Sequence, residues 1–364
     1  MVAARISGIE TIFCGRFAFV EVKTDEGVTG IGECVCADKK IFESNIDALR
    51  NVLLGQNPFE SEKLWRRMFG KIFFYSTATI MSAVDIALWD IKGKMLGVPC
   101  YELLGGKVHD PIRIYTHVQG SWNSFPDEKT EFVYYEEWGK DGNSIERIAE
   151  NARQLIKAGY SCVKLDPFHP GKDGWPRYRK NDVDRSVECV RAVRSAIGND
   201  ADLIVEAHFK FDSGLGIKIG KLLEPFDLLW FEDPVPAGQL KALCKVANHI
   251  NVPIAAGERL FSKYEYKDYL EAGAIDVLMT DIGKVGGLTE VKKISTLCEI
   301  YKVGFAPHNP FGPVSAVASA HICAASPAFL ILEHETFIPW AIKPMIDIQN
   351  GYIRVLEAPG LGSN

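Results

Sequence analysis

The feature that most constrains the fold is a repeating unit in which a short apolar strand is followed by a helical stretch. This unit recurs along the chain after residue 110. Strands and helices that alternate on this scale favour a parallel sheet, and eight such units favour a closed, TIM-like (β/α) barrel. The predicted strands are Ile112–Val118, Cys162–Asp166, Leu203–His208, Leu228–Asp233, Ile254–Arg259, Val277–Ile282, Gly304–His308 and Leu330–Glu335.

The beginning of the chain follows a different pattern. The stretch "FAFVEVKTDEGVTGIGECV" alternates apolar and polar residues on both sides of Asp25, Glu26 and Gly27, which predicts a β-hairpin. Helical patterns follow, and the clearest of them is "SAVDIALWDIKGKMLG". Strands followed by a run of helices, without alternation, indicate an α+β unit that precedes the barrel.

These patterns predict an α/β protein of two domains. We expect an N-terminal α+β capping domain over residues 1–110 and a barrel over residues 111–339. The polar, aromatic-rich residues 119–143 are predicted to be a loop after the first barrel strand. The C-terminal segment, about residues 340–364, contains "GYIRVLEAPGLG" and is predicted to return to the capping domain.

Charge and cysteine content exclude several function classes. The net charge of −6 over 364 residues, without a basic stripe, argues against a nucleic-acid partner. The nine cysteines are odd in number and form no CxxC pair, which argues against a disulfide framework or a zinc knuckle and is typical of the reducing cytoplasm. No run of about 18 apolar residues occurs, so no membrane association is expected.

Polar residues stand at the carboxyl ends of six predicted strands, at intervals of 23 to 27 residues. Because a barrel brings all its strand ends to one opening, where barrel active sites are built, we expect these side chains to face one another. The residues are Glu206 with His208, Glu232, Glu258, Asp281, His308 and Glu333.

Three of these residues, Glu206, Glu232 and Glu258, are carboxylates on consecutive strands. Oxygen ligands without a thiolate favour a hard cation such as Mg²⁺, Mn²⁺ or Ca²⁺. A cation would also explain how three neighbouring carboxylates stay ionised, since like charges raise one another's pKa. Each glutamate taken alone fits a helix cap or a surface ion pair equally well, and the register of all three favours the metal.

Five motifs, "LWDIKGKMLGVPCYELLGG", "WFEDP", "GER", "TDIGKVGG" and "APHNPFGP", are similar to those of a known family. The chain resembles the enolase superfamily, mandelate racemase subgroup, and most of all its acid-sugar dehydratases of the galactonate and gluconate type. The resemblance covers nearly the whole chain. It implies an enolase-type modified barrel and a lyase that removes water from a sugar acid, with Mg²⁺ as cofactor and Mn²⁺ as the alternative.

The resemblance also implies roles for individual residues. Glu206, Glu232 and Glu258 match the family's metal ligands, and His308 with Asp281 matches the dyad that serves as general base. The implied reaction removes the proton next to the substrate carboxylate, passes through an enediolate and gives a 2-keto-3-deoxy acid from an aldonate such as gluconate, galactonate or a pentonate.

The remaining site candidates stand at the ends of the second, third and last predicted barrel strands. His208 matches the general acid of galactonate-type dehydratases, and Glu333 matches a residue that hydrogen-bonds the ionised end of the substrate. Asp166 stands where racemases of the family carry a second lysine base, which disfavours proton transfer at a single carbon. Lys164 is predicted to contact a carboxylate or to pair with Asp166, and both are substrate-binding candidates together with Glu333. The first metal ligand of the family is commonly Asp, so Glu206 departs from the pattern.

Other functions remain open at this stage. A racemase, epimerase or cycloisomerase of the same superfamily is the main alternative, and a sugar-acid-binding protein without activity is a distant third. A metal-dependent hydrolase needs two histidines on the first strand, where "IYTHV" offers only His117, which is predicted to be a surface or packed histidine. The resemblance implies a homo-oligomer, from dimer to octamer. Arg16, Phe17 and Tyr75 are candidates to close over the substrate.

Overall fold

The computed structural model of the protein describes residues 4–14, 17–36, 38–71, 78–118, 144–168, 178–334 and 346–362. The N-terminal unit (residues 4–104) contains β1 (Ile6–Cys14), β2 (Phe17–Thr24), β3 (Thr29–Val35), α1 (Lys39–Leu53), α2 (Ser61–Lys71), α3 (Ala78–Leu96) and α4 (Cys100–Leu104). The rest contains β4 (Ile112–His117), α5 (Ile145–Lys157), β5 (Cys162–Leu165), α6 (Lys180–Ile197), β6 (Asp202–Glu206), α7 (Ser213–Leu223), β7 (Trp230–Glu232), α8 (Leu240–Ala247), β8 (Ile254–Ala256), α9 (Lys263–Glu271), β9 (Val277–Leu278), α10 (Leu288–Tyr301), β10 (Gly304–Phe305), α11 (Pro313–Ala325), β11 (Leu332–Glu333), β12 (Ile348–Gln349) and β13 (Tyr352–Ile353). Among the described helices, none has the length and apolarity needed to cross a bilayer.

The N-terminal unit is an antiparallel sheet in the order β1-β2-β3 with helices packed on it. The predicted hairpin is confirmed, because β2 and β3 pair antiparallel along their length. A Cβ atom at Gly30 would lie 2.2 Å from the Ala87 carbonyl oxygen, and one at Gly32 would lie 1.8 Å from that of Ala83. Only glycine therefore allows α3 to lie directly on β3.

Eight parallel strands form a closed ring in the second part of the chain. β4 to β10 pair with their neighbours in chain order, and β11 pairs with β4 through Leu332 and Ile114. The Phe305 amide donates to the Ala328 carbonyl at 2.8 Å, and the Leu330 amide donates to the Phe305 carbonyl at 2.9 Å. These bonds join β10 to the segment that leads into β11. The predicted fold, a (β/α) barrel preceded by an α+β unit, is confirmed.

The barrel strands are shorter at their carboxyl ends than the sequence predicts. β6 ends at Glu206 and β7 at Glu232, whereas the predicted strands continue to His208 and Asp233. His208 has φ 45° and Asp233 has φ 40°, and this left-handed conformation ends regular strand pairing. Strand alternation therefore does not align His208 with Glu206. A turn brings them together, and the His208 amide donates to Oε1 of Glu206 at 2.7 Å.

A layer of apolar side chains fills the interior of the ring. Its buried members are Tyr115, Cys162, Ile204, Trp230, Ala255, Val277, Met279, Ala306 and Ile331. Alternate residues of a strand share a face, so the inward positions two residues further on form the next layer. That layer holds Lys164 after Cys162, Glu206 after Ile204 and Glu232 after Trp230. The polar layer therefore lies directly above an apolar one.

The C-terminal segment contacts both parts of the chain. β12 and β13 form a hairpin, and β13 pairs antiparallel with β4. Further on, the Cys100 amide donates to the Gly360 carbonyl at 2.8 Å, and the Leu361 amide donates to Oδ1 of Asp90 at 2.9 Å. The segment thus pairs with the barrel before it reaches the N-terminal unit. The domain boundaries at residues 110 and 339 stay a prediction, and residues 119–143 lie outside the described chain.

Glu33 of the N-terminal unit caps a barrel helix. Its carboxylate accepts hydrogen bonds from the amides of Gly312, Val314 and Ser315, at 2.7 to 3.0 Å. These N–H groups at the start of α11 have no partner within the helix, and the helix dipole favours a negative charge there. Because α11 follows the loop that carries His308, the N-terminal unit is bonded to the element next to a predicted catalytic residue.

Asp85 makes a similar contact one helix earlier. Its Oδ2 accepts a hydrogen bond from the Thr289 amide at 2.8 Å, in the first turn of α10. The Trp65 indole donates to the Gly286 carbonyl at 2.9 Å in the loop that precedes this helix. The loop begins after Asp281, so both residues of the predicted His–Asp dyad are followed by segments that the N-terminal unit holds.

Burial raises the pKa of Glu33 from 4.5 to about 7, against the opposing effect of its three amide donors. The folded state therefore retains a proton that the unfolded state releases between these pH values. The contribution of Glu33 to the free energy of unfolding should fall as the pH rises through this window, by up to about 3 kcal/mol. Glu33→Gln keeps an acceptor oxygen and removes the titration, so we expect the variant to lose less stability over this window than the wild type.

Urea unfolding at about pH 5 and about pH 8 measures this difference. Glu26→Gln removes an exposed acid of the hairpin turn and is the control, which should follow the wild type. An identical pH dependence in Glu33→Gln and wild type would contradict the prediction.

Candidate active site

The carboxyl ends of β4 to β11 form one opening, the mouth of the barrel, and most of the polar side chains that meet there are deeply buried. Glu206 and Glu232 are 0% exposed, and Lys164 and Glu333 are 1% exposed. Burying an ionised group is costly unless opposite charges and hydrogen bonds compensate for the lost water. The partners of each group therefore show how the site is held together.

Three carboxylates lie together at the ends of β6 and β7. Glu206, Glu232 and Asp233, which we call the acidic cluster, each place one oxygen within 4.8 Å of the others. Glu206 and Glu232 are register partners on neighbouring strands. Burial, and next the charge of Glu206, raise the pKa of Glu232 well above its ordinary range. The fold therefore holds Glu206 and Glu232 close together although their negative charges repel each other.

Lys164 supplies positive charge to this part of the mouth. Its Nζ lies 3.0 Å from Glu232, 3.4 Å from Glu206 and 2.7 Å from Glu333. Burial alone would lower the pKa of Lys164, but the surrounding carboxylates hold it above its ordinary value. The prediction that Lys164 contacts a carboxylate agrees with these distances. Lys164 does not form the alternative ion pair with Asp166. Asp166 follows the end of β5 and contacts Lys210 and His208 instead.

The predicted dyad of His308 and Asp281 is assembled across β9 and β10. Nδ1 of His308 lies 2.9 Å from Oδ2 of Asp281, and Oδ1 of Asp281 accepts the Gly283 amide at 2.8 Å. Nε2 of His308 lies 2.8 Å from Oε2 of Glu258. Burial alone would lower the pKa of His308, but the charges of Glu258 and Glu333 outweigh it and raise the value to about 10.

A second histidine–aspartate pair stands at β5 and β6. Nδ1 of His208 lies 2.6 Å from Oδ2 of Asp166, and the same oxygen lies 2.6 Å from Nζ of Lys210. The structure therefore brings His208, the predicted general acid, into contact with Asp166, which the sequence placed among the substrate-binding candidates. No motif or strand-end position predicts Lys210 as a member of the site.

Glu333 links the remaining strands of the ring. Its Oε2 accepts the Asn309 amide at 3.0 Å, and its Oε1 lies 3.2 Å from Nε2 of His117 as well as near Lys164. His117, the last residue of β4, is therefore packed at the mouth of the barrel and is not a surface histidine. The rule that identified the other candidates, a polar residue at a strand end, applies to His117 too.

Glu258, the predicted third metal ligand, is outside the acidic cluster. It lies two residues beyond β8, with Oε2 on His308 and Oε1 3.5 Å from Nε of Arg259. Burial opposes its ionisation, but the charge on His308 holds the pKa of Glu258 well below its ordinary value. The structure thus brings Glu206 and Glu232 together and places Glu258 beside the predicted base.

Of the three residues proposed to close over the substrate, only Phe17 is described. It is 4% exposed and stacks on Phe19 with a ring separation of 6.4 Å. A Cβ atom at Gly312 would lie 2.8 Å from the Phe17 ring, so this ring packs against the start of α11. Arg16 and Tyr75 lie outside the described residues.

The acidic cluster fits a hard divalent cation. All of its donors are carboxylate oxygens, the ligand type that Mg²⁺ and Mn²⁺ prefer. Oδ2 of Asp233 is buried and has no hydrogen-bond partner among the described residues. Burial and the charges of Glu258, Glu206 and Glu232 raise the pKa of Asp233 well above its ordinary range. A cation among these oxygens would relieve this repulsion.

Comparison with known proteins agrees with the fold. Residues 5–105 match the mandelate racemase / muconate lactonizing enzyme N-terminal domain, and residues 147–364 match the enolase C-terminal domain-like family. The D-galactonate dehydratase of Ralstonia pickettii is 34% identical over 95% of this chain and 88% of its own length. The D-xylonate dehydratase of Haloferax volcanii is 31% identical over 99% of this chain and 86% of its own length.

Solved structures show the same relationship. A mandelate racemase/muconate lactonizing enzyme-like protein from Roseovarius sp. TM1035 superimposes with a TM-score of 0.89 and 32% identity, over 98% of this chain and 92% of that one. A mandelate racemase/muconate lactonizing enzyme from Sulfitobacter sp. superimposes with a TM-score of 0.88 and 30% identity, over 99% and 92% of the two chains. With both domain families matched and relatives aligned over nearly its whole length, the chain belongs to the mandelate racemase / muconate lactonizing enzyme family of the enolase superfamily.

Proposed function

We propose that this enzyme removes water from a sugar acid and forms a 2-keto-3-deoxy sugar acid. The proposed substrate is an aldonate such as gluconate, galactonate or a pentonate. The observation that carries the proposal is the pair of histidines, His208 and His308, each bonded to its own aspartate beside buried carboxylates. The similarity to a D-galactonate dehydratase and a D-xylonate dehydratase supports the same class of reaction.

Glu206, Glu232 and Glu258 are proposed to hold Mg²⁺, with Mn²⁺ as the alternative. Glu206 and Glu232 are already adjacent, and Asp233 competes with Glu258 for the third position because it lies in the acidic cluster. When bound, the cation would act as a Lewis acid that stabilises negative charge on the substrate carboxylate. Lys164 and Glu333, which contact each other in the polar layer, are proposed to bind the same end of the substrate.

His308 is proposed as the general base that takes the proton from C2. Asp281 binds Nδ1, so the other ring nitrogen, Nε2, is the one that can accept this proton. Nε2 now contacts Glu258, and a base has to be neutral when it acts, so this contact has to break when the substrate binds. Asp281 then stabilises the imidazolium that forms.

His208 is proposed as the general acid for the hydroxyl on C3. Removal of the C2 proton leaves the electron pair of the C2–H bond in an enediolate. The enediolate then restores the C1 carboxylate and forms the C2–C3 double bond as the C3–O bond breaks. The departing hydroxide takes a proton from His208 and leaves as water. The enol product then becomes the 2-ketone by proton transfer to C3. A positioned acid accelerates such a step by roughly 10²–10⁴-fold.

We also propose a cytoplasmic homo-oligomer that acts on a small molecule. The cysteines whose side chains are described form no disulfide with one another, which suits a reducing compartment. Light scattering on the purified enzyme would give the number of subunits.

A panel of aldonates and aldarates incubated with enzyme and Mg²⁺ tests the reaction. We expect a 2-keto acid from at least one aldonate and none after treatment with a chelator. Hydrogen exchange at C2 without any keto acid would instead indicate a racemase or epimerase. If every acid came back unchanged and unexchanged, the proposed dehydration would be wrong.

If His308 is the general base, His308→Asn should lose proton exchange and dehydration together. Without His308, the rates of exchange at C2 and of keto-acid formation should both fall by at least about 10²-fold. Proton NMR in D₂O measures both in one sample. His249→Asn is the control, because His249 is exposed, lies in the turn after α8 and contacts the Lys245 carbonyl of that helix. Undiminished exchange in His308→Asn would remove this residue from the role of base.

The ligand assignment predicts which carboxylates Mn²⁺ needs. We expect Glu206→Gln, Glu232→Gln and Glu258→Gln to weaken Mn²⁺ binding by at least about tenfold, since even outer contacts of a metal site have effects of that size. Asp233→Asn should have a smaller effect. Calorimetric titration with Mn²⁺ measures the affinities without substrate. Strong loss in Asp233→Asn with normal binding in Glu258→Gln would show that Asp233 is the third ligand.

A further inference from the structure

Asp166 has its oxygens engaged by neighbouring groups of the chain. Oδ1 accepts the Phe168 amide at 3.0 Å, and Oδ2 lies 2.6 Å from both Lys210 Nζ and His208 Nδ1. The residue is 4% exposed. Burial alone would raise its pKa, but the charges of Lys210 and His208 hold the pKa of Asp166 below its ordinary value. These contacts favour a role inside the protein over a contact with substrate.

Two separate carboxylates fix His208. Its backbone amide donates to Glu206 at 2.7 Å, and its ring binds Asp166 through Nδ1. The backbone is in a left-handed turn, with φ 45° at His208 and 62° at Phe209, so strand pairing does not hold the residue there. The bond to Asp166 through Nδ1 restricts rotation of the ring.

The arrangement repeats the one around His308. Asp281 follows β9 and binds the histidine that follows β10, and Asp166 follows β5 and binds the histidine that follows β6. In the ring of eight strands, β6 and β10 are separated by four positions. The two histidine–aspartate pairs therefore stand across the mouth from each other, each built from an aspartate and the histidine of the next strand.

We propose that Asp166 is a positioning residue that holds His208 as the proton donor to the leaving hydroxyl, so that the mouth contains one dyad for each half of the reaction. This inference rests on the proposed dehydration. In the first half, His308 takes the C2 proton and an enediolate forms. In the second half, the C3–O bond breaks, and the proton that His208 gives up joins the departing hydroxide to make water. Loss of Asp166 should slow the second half alone.

Loss of Asp166 should change the proportion of the enediolate that returns to substrate and the proportion that goes on to product. The enediolate can regain a proton at C2 and return to substrate, or it can lose hydroxide and go on to product. Asp166→Asn keeps the size of the side chain and removes its charge, so the ring of His208 loses its ionic partner. Return should then dominate, and in D₂O the recovered substrate should carry deuterium at C2.

The experiment follows exchange and product together by NMR in D₂O, with Mg²⁺ and the aldonate that the wild type converts best. In Asp166→Asn we expect keto-acid formation to fall by about 10²-fold, KM to change by less than about threefold and deuterium to accumulate in the substrate. Asp281→Asn should lose exchange and dehydration together. Asp184→Asn, an exposed acid on α6, should behave as the wild type does. A parallel loss of exchange and dehydration in Asp166→Asn, or an unchanged rate of dehydration, would overturn the proposal.

A second measurement does not depend on activity. In enzyme labelled with ¹⁵N-histidine, the ring signals of His208, assigned by their loss in His208→Asn, should shift in Asp166→Asn, whereas the signals of His308 should not. Unchanged His208 signals would overturn the proposal even in an active enzyme. If the wild type converts no sugar acid while the His208 signals do respond, the proposed function fails and the contact between Asp166 and His208 stands.

Discussion

The pairing of β11 with β4 is the interaction on which the rest of the structure depends. It turns a parallel sheet into a ring, and only in a ring do the first and last strands of the barrel meet. Glu333 of β11 can contact His117 of β4 and Lys164 of β5 for this reason. An open sheet would leave Glu333 at the edge opposite His117 and Lys164, and Lys164 would then contact only the carboxylates of the two strands that follow its own.

Charge balance determines the arrangement of the mouth. Many acidic side chains are buried there, and most of them have a cation or amide donors beside them. Lys164 neutralises part of the charge of Glu206, Glu232 and Glu333, while Lys210 and His208 surround Asp166. Asp233 of the acidic cluster is the exception, since its buried Oδ2 has no donor among the described residues. A cation site requires carboxylate oxygens whose negative charge the neighbouring groups of the protein do not neutralise.

Much of this site could be predicted from the sequence because its residues repeat with the strand–helix unit. The spacing of Glu206, Glu232 and His308 identifies strand ends, and a barrel brings strand ends together whatever the loops contain. Pairing was harder to predict. That Asp166 binds His208, or that Glu258 binds His308, depends on turns such as the left-handed one at His208 and on contacts between strands.

The contacts of the N-terminal unit with the barrel could not be predicted for a related reason. Glu33 reads as an ordinary polar residue of an alternating strand, and nothing near it in sequence indicates that its partners are the first amides of α11, about 280 residues later. Long-range pairs of this kind leave no periodic trace. Local pattern specifies which elements form, and close packing in three dimensions decides which polar groups meet.

The two stacked layers inside the barrel have a consequence for how such a chain can change over time. Inward and outward positions alternate, so inserting or deleting one residue within β5, β6 or β7 would send the acid or lysine into the helical shell and turn an apolar side chain toward the opening. Length changes are therefore confined to the loops. Loop insertions can therefore change the substrate preference, while the barrel strands keep the reactive groups in the same positions.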